Sequence, residues 1–184
     1  MDNIPTVAGS VLYWVQPKVM QRWFELHTAD SRVVGSLGFE KAFGTSARAD
    51  GADVAWTFKR VGFLNARVTI RRLGSQADVA VYHPKVFGGG LLQTSEGRIF
   101  YWRQMNFWAT QWSFTDTNGV PLVIFKPGAE SQSLSNLFKS QSSVELAFDA
   151  KEPTELALLV LLGWYLMVMS QEDAASAGAV AATM

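Results

Sequence analysis

The sequence predicts an all-β fold with one helix: a closed antiparallel β-barrel of about twelve strands around a buried hydrophobic C-terminal helix. Two observations support this. Before residue 150, short strand-like segments recur roughly every 8–12 residues, which is typical of a sandwich or barrel. After it, residues 156–169 form a run of 14 residues that are all apolar or glycine. A helix that is apolar on every face has to be enclosed, and a barrel of this many strands has room for one.

The strands are predicted from alternation and from the turns between them. In 53–60, Val54, Trp56 and Phe58 share one face of an alternating segment. Asn118-Gly119 is the strongest hairpin signal in the chain. The predicted strands are 11–15, 20–28, 33–39, 53–60, 66–73, 78–83, 91–94, 98–103, 106–115 and 120–126, with two weaker ones at 133–138 and 143–148.

The core helix is predicted over residues 154–170. Thr154 fits an N-cap, and Glu155 is favourable in the first helical turn. A membrane span needs roughly 20 apolar residues, whereas runs of about 10–14 more often form buried core helices. The alternative interpretation is a tail anchor. We therefore expect one barrel domain over 1–172, with its strands between 10 and 149, and a flexible Ala/Gly-rich tail over 173–184.

Composition excludes several classes of protein. The 184 residues include 16 basic and 16 acidic side chains and no cysteine. A disulfide scaffold, a thiolate metal site and a cysteine nucleophile are thereby excluded. Zero net charge argues against binding nucleic acid through bulk positive charge. The N-terminus has no basic region typical of a secretory signal, so we expect a cytoplasmic protein that can associate peripherally with the inner membrane surface.

The charges are unevenly distributed along the chain. Between Lys59 and Arg103 there are eight basic residues and two acidic ones, and the rest of the chain is acidic. If the strands pair as hairpins, Lys59, Arg67 and Arg71 project from one outer face. Arg60 and Arg72 have the parity of buried neighbours, so we expect them at strand ends or paired internally. Such a surface attracts anionic headgroups at about 1 kcal/mol per charge; the alternative is an ordinary solvated exterior.

Motifs for catalysis or cofactor binding are not recognisable. His27 and His83 end two predicted strands, and nothing in their spacing requires them to meet. Gly88-Gly89-Gly90 lacks the Lys-Ser/Thr pair of a phosphate-binding loop, and no Gly-x-Ser-x-Gly nucleophile elbow occurs. The sequence therefore predicts no enzyme, no cofactor and no metal site.

The aromatic residues allow two interpretations. Trp102, Phe107, Trp108 and Trp112 could stack on nucleic-acid bases beside Arg98 and Arg103. We favour the barrel core, because a barrel around a helix needs large inward side chains. Trp164 and Tyr165 on the helix are expected in the same core, each with a partner for its polar hydrogen.

Several stretches resemble the tubby C-terminal-like superfamily, which includes tubby proteins, phospholipid scramblases and LURP-one-related proteins. Residues 26–35 and 114–123 are similar to its strand–turn–strand units, and 155–170 is similar to its terminal core helix. The resemblance covers most of residues 10–172. It implies a twelve-stranded barrel around a hydrophobic helix.

The resemblance also implies a function. Tubby domains bind phosphoinositide headgroups through basic residues beside a strand–turn–strand unit that 56–69 resembles. Arg60 and Arg67 fall where that unit carries basic residues, whereas Phe58 replaces a lysine. We expect a non-enzymatic module that binds anionic phospholipid at the membrane surface through Lys59, Arg60, Arg67 and Arg71. The alternatives are a protein-interaction scaffold or regulatory protein without lipid binding, and a scramblase-like activity; the protein partner is not indicated.

Overall fold

In the part of the chain that the structure describes, twelve antiparallel strands close into one barrel and one α-helix lies inside it, as the sequence predicts. The computed structural model describes residues 1–18, 21–62, 66–86, 88–108, 110–127, 140–147 and 152–182. The strands are β1 Val11–Val15, β2 Trp23–Thr28, β3 Val33–Phe39, β4 Ser46–Asp50, β5 Ala55–Val61, β6 Arg67–Arg72, β7 Asp78–Pro84, β8 Gly90–Thr94, β9 Ile99–Gln104, β10 Trp112–Thr115, β11 Pro121–Pro127 and β12 Ser140–Leu146.

The strands follow one another around the barrel in sequence order, and β1 closes the ring by pairing with β12. In that last ladder Leu12 lies opposite Val144 and Tyr13 opposite Ser143. Consecutive antiparallel strands alternate in direction, so the connections alternate between the two ends of the barrel. The Asn118-Gly119 hairpin is confirmed: Gly119 takes a positive φ of 83° and donates its backbone N–H to the Asp116 carbonyl at 3.1 Å.

Strand β4 is missing from the predicted strands. Its sequence Ser-Ala-Arg-Ala-Asp carries only two small apolar side chains, Ala47 and Ala49. Both are fully buried, and they lie opposite Phe58 and Trp56 of β5. Small residues on one strand leave space for large ones on the next, so this strand has no hydrophobic signature of its own. The strand predicted at 133–138 lies outside the described residues.

The helix α1 extends over Pro153–Ala182. Its predicted end at residue 170 is wrong, and the expected flexible tail is helical as far as Ala182, with exposed side chains over 173–178. Alanine, which dominates this segment, has the highest helix propensity. By length and composition Pro153–Gly178 could cross a membrane, and 72% of its most apolar stretch is buried inside the barrel.

Aromatic side chains of the wall pack on the helix. Trp14 stacks on Trp164 with ring centroids 5.4 Å apart, and Phe24 meets the same ring edge-on. Phe39 stacks on Tyr165, and Phe58 meets the Tyr165 ring edge-on. Trp164 and Tyr165 therefore belong to the core, as predicted. Tyr165 donates its hydroxyl to the Thr45 carbonyl at 2.7 Å. The indole Nε1 of Trp164 is buried without a hydrogen-bond partner among the described residues, contrary to expectation.

Candidate functional site: the exit end of the barrel

The helix leaves the barrel at one end, which we call the exit end. The connections at this end include β1–β2, β3–β4, β5–β6, β7–β8 and β9–β10. Two arginines bind the helix there: Arg60 of β5 binds Asp173, and Arg22, just before β2, binds Glu172 at 2.7 Å. At the other end of the barrel, Glu155 in the first helical turn forms an ion pair with Arg98 at 2.7 Å. Burial raises the pKa of Glu155, and Arg98 partly opposes that shift.

The four predicted site residues divide into two pairs. Lys59 and Arg67 are exposed on the outer face of β5 and β6, and neither has an acidic partner among the described residues. Their strands pair with Val61 opposite Arg67 and Lys59 opposite Thr69. The two cations therefore occupy diagonal positions, roughly 7–8 Å apart at Cα. They form the accessible part of the predicted site.

Arg60 and Arg71 are already engaged. Arg71 lies on the same outer face but donates to Asp78 at 2.6 Å, on the neighbouring strand β7. Arg60 has inward parity and reaches Asp173 on the helix, so the expectation that it pairs internally is confirmed. The hydrogen bonds that Arg60 donates to the Asp173 carboxylate raise the pKa of its guanidinium, although partial burial opposes the shift. These two cations are neutralised within the fold.

Two further cations, which were not among the predicted site residues, lie at the exit end on the side of the barrel formed by β5–β9. Lys85 follows β7, and Arg103 is near the end of β9. Both are exposed, and they approach the ring of Tyr101, with Lys85 Nζ 5.9 Å and Arg103 Cζ 4.7 Å from its centroid. Neither forms an ion pair within the described part of the chain. We call Lys59, Arg67, Lys85 and Arg103 the basic cluster.

Strand direction would have identified these two residues. In a barrel whose strands follow sequence order, the ends of β5, β7 and β9 and the start of β6 meet at one end. Lys59, Arg67, Lys85 and Arg103 lie at or near those four positions. The four predicted residues all come from the β5–β6 hairpin. They therefore include Arg60 and Arg71, which are paired, and leave out Lys85 and Arg103.

A cleft of about 700 Å³ opens at the exit end between the helix and strands β5–β10. Arg67 and Lys85 of the basic cluster line it, together with the ion pair of Arg60 and Asp173. Its apolar wall includes Tyr82, Val86, Trp102, Trp112, Leu166 and Met169. A second, smaller cleft of about 260 Å³ lies between Lys85 and Arg103. Lys85 is thus shared by two neighbouring concave surfaces.

The aromatic residues near the cleft separate into core and surface. Trp102 is buried and stacks on Trp112 with ring centroids 5.4 Å apart, as the core interpretation predicts. Phe107 and Trp108 are 90% and 79% exposed, so that interpretation is wrong for them. They lie in a loop, because the strand predicted from residue 106 begins only at Trp112.

Neither histidine forms part of a site with the other. His27 is on β2, where its Nε2 lies 3.1 Å from Glu25 Oε2, and His83 is exposed on β7 across the barrel. Within the described ranges, no group of three or more His, Asp or Glu side chains is arranged to hold a metal ion.

Comparison with models of known protein families finds no match, and neither does comparison with curated proteins or with solved structures. The tubby-like resemblance therefore remains an expectation based on sequence motifs.

Proposed function

We propose that the protein is a non-enzymatic module that binds anionic phospholipid headgroups at a membrane surface through the basic cluster. The observation that carries this proposal is the presence of four exposed cations at one end of the barrel, with no acidic partner among the described residues. Each basic residue near an anionic membrane surface contributes about 1 kcal/mol of attraction. Four such residues together can hold a protein of zero net charge at the membrane.

The surroundings of the cluster support a local anion site. The acidic residue that lines the cleft among the described residues, Asp173, is already bound to Arg60. Lys85 and Arg103 both approach the ring of Tyr101, and both line the smaller cleft. A phosphate group between them would gain from both, and Arg67 faces the adjoining cleft.

Co-sedimentation with vesicles tests the proposal. We would compare phosphatidylcholine vesicles with vesicles that also contain phosphatidylserine or a phosphoinositide. The wild-type chain should bind only the anionic vesicles, and added salt should weaken binding. Arg67→Glu with Lys85→Glu should lower the affinity roughly 30-fold or more, since at least two contributions of about 1 kcal/mol are lost.

The matched control reverses the same amount of charge elsewhere. Arg32 and Arg72 are exposed and lie at the opposite end of the barrel. Arg32→Glu with Arg72→Glu should therefore retain most of the binding. If both double variants lost the same amount of vesicle affinity, net charge alone would explain the binding, and the assigned site would be contradicted. Absence of binding to any anionic vesicle would contradict the function and favour a protein partner.

A further inference from the structure

The most exposed large apolar side chains of the described residues are all at the exit end, spread around its circumference. They are Phe43, Val86, Phe107 and Trp108, with exposed fractions of 102%, 93%, 90% and 79%. They come from three separate connections, β3–β4, β7–β8 and β9–β10. A soluble surface rarely gathers such residues without an interaction that covers them. We call these four residues the apolar rim.

The loop that carries Phe107 and Trp108 is held by hydrogen bonds. Asn106 Oδ1 accepts the backbone N–H groups of Thr110 and Gln111 at 3.0 and 3.1 Å. The Gln104 side-chain amide donates to the carbonyls of Asn106 and Phe107. The two aromatic rings pack edge to face, 5.4 Å apart, and both face solvent. The loop is thus built to present an aromatic pair.

Arg22 holds the loop of Phe43 in a comparable way. Its Nη1 donates to the carbonyls of Lys41, Ala42 and Gly44 at 2.9, 3.3 and 2.8 Å. Its Nη2 binds Glu172 of the helix, so Arg22 links this loop to α1. Phe43 is nevertheless completely exposed.

We propose that the exit end docks face-on against an anionic bilayer and that the apolar rim inserts into its interfacial region. This inference rests on the proposed function and adds the inserted residues and the orientation. The connections β3–β4 and β9–β10 are six strands apart in a ring of twelve, so their tips lie on opposite sides of the barrel. Contacts on both sides of the ring fit a broad, flat partner better than a peptide in a groove.

The charges at this end agree with an anionic bilayer. The basic cluster lies at the same end of the barrel as the apolar rim, and Lys18 and Lys41 are also exposed at this end. Among the described residues the acids there are Glu40, which is exposed, and Glu172 and Asp173, which are bound by arginines. Tryptophan prefers the headgroup level of a membrane, and basic residues beside it bind anionic lipids.

The last turns of α1 are compatible with this orientation. Beyond Asp173 the helix continues for nine residues, roughly 13 Å at 1.5 Å per residue. The segment 174–182 contains no charged side chain. It can therefore enter the interfacial region beside the apolar rim without burying a charged side chain there.

Site-specific labels test the insertion directly, because the native chain has no cysteine. We would make Phe43→Cys, Trp108→Cys and, as a control at the opposite end, Thr117→Cys, and attach an environment-sensitive fluorophore to each. On phosphatidylcholine–phosphatidylserine vesicles, labels at 43 and 108 should shift to shorter wavelength and be quenched by brominated acyl chains. The label at 117 should do neither. Equal behaviour of the three labels overturns the orientation.

A second comparison separates this inference from the proposed function. Phe107→Ser with Trp108→Ser should weaken vesicle binding about tenfold, because apolar area no longer enters the bilayer. Val7→Ser with Leu73→Ser, exposed apolar residues at the opposite end, should have no effect. If the basic cluster proves necessary but the Phe107/Trp108 variant binds normally, insertion is overturned while headgroup binding stands. If no anionic vesicle is bound at all, both fail, and the apolar rim becomes a candidate protein-docking face.

Discussion

Arg60 binds Asp173 across 113 residues of sequence, with Nη1 3.1 Å from Oδ1 and Nη2 2.8 Å from Oδ2. Arg60 belongs to the barrel wall and Asp173 to the helix, and both line the larger cleft. The pair joins the two parts of the fold at the point where the proposed ligand approaches. It also removes one positive charge from the exit end.

Neutralising Asp173 should therefore increase affinity for anionic vesicles. In Asp173→Asn the guanidinium of Arg60 becomes available beside Arg67 and Lys85. One additional cation of about 1 kcal/mol corresponds to an affinity about fivefold higher. Asp78→Asn is the matched control, because it frees Arg71 away from the exit end. Co-sedimentation would measure both, and an equal gain in both variants would show that only net charge matters.

The close packing of Gly163 on Phe125 predicts a specific loss of stability. A Cβ at position 163 would lie 2.3 Å from Phe125 Cζ and 2.5 Å from Cε2. Gly163→Ala should lower the free energy of unfolding by about 1–3 kcal/mol through overpacking. Adding Phe125→Leu should recover part of that loss, and a double-mutant cycle in urea would measure the coupling.

Gly178 provides the control for that experiment within the same helix. Nothing lies within 4 Å of a Cβ built there. Gly178→Ala should leave stability unchanged or raise it by up to about 1 kcal/mol, since glycine disfavours helix. A loss at 178 as large as that at 163 would mean that helix backbone effects, not contact with Phe125, explain the result.

The helix should be required for folding of the barrel. Deleting 156–169 removes the side chains against which Trp14, Phe24 and Phe58 pack, and leaves a hollow apolar interior. We expect loss of the near-ultraviolet circular dichroism and of a cooperative melting transition. A chain that ends after Asp173 keeps the buried helix and should melt cooperatively. A soluble, folded deletion variant would contradict the role of the helix as the core.

The burial of the Tyr165 hydroxyl predicts that the protein becomes less stable at alkaline pH. Burial raises the pKa of this hydroxyl to about 12, although nearby Arg60 opposes the shift. In the unfolded chain the group loses its proton near pH 10, so the unfolded state binds fewer protons between about pH 10 and 12. The free energy of unfolding should therefore fall as pH rises through this window.

Tyr165→Phe isolates that contribution. The variant lacks the hydrogen bond to the Thr45 carbonyl and should be about 0.5–1.5 kcal/mol less stable near neutral pH. Its deficit should shrink as pH rises above about 10. Burial also raises the pKa of Tyr82, so some decline remains in the variant. Urea unfolding across this pH range would measure the difference, and parallel curves would contradict it.

The sequence predicts the fold much better than the site. Alternation, the Asn118-Gly119 turn and the apolar run 156–169 depend on local order along the chain, and they lead to the barrel and its helix. Strand β4 escapes prediction because its burial depends on the size of Phe58 and Trp56 on the neighbouring strand. Pairing of charges is equally non-local: no spacing rule links Arg60 to Asp173.

The exposure of Phe107 and Trp108 also could not be predicted from the local sequence. Alternating apolar residues around 106–115 suggest one strand, but Asn106 turns the chain by accepting backbone hydrogen bonds from Thr110 and Gln111. Composition cannot distinguish a buried tryptophan such as Trp102 from an exposed one such as Trp108. The difference arises from a side-chain–backbone contact, which competes with strand formation.

The order of the elements affects how the protein is made. The ladder between β1 and β12 joins residues near 12 to residues near 144, and the helix that fills the barrel comes later still. During synthesis the ribosome therefore releases a nearly complete wall before the core that stabilises it. Until β12 emerges, one edge of β1 lacks its partner, and until α1 emerges the apolar inner faces lack theirs. We therefore expect the nascent chain to depend on chaperones.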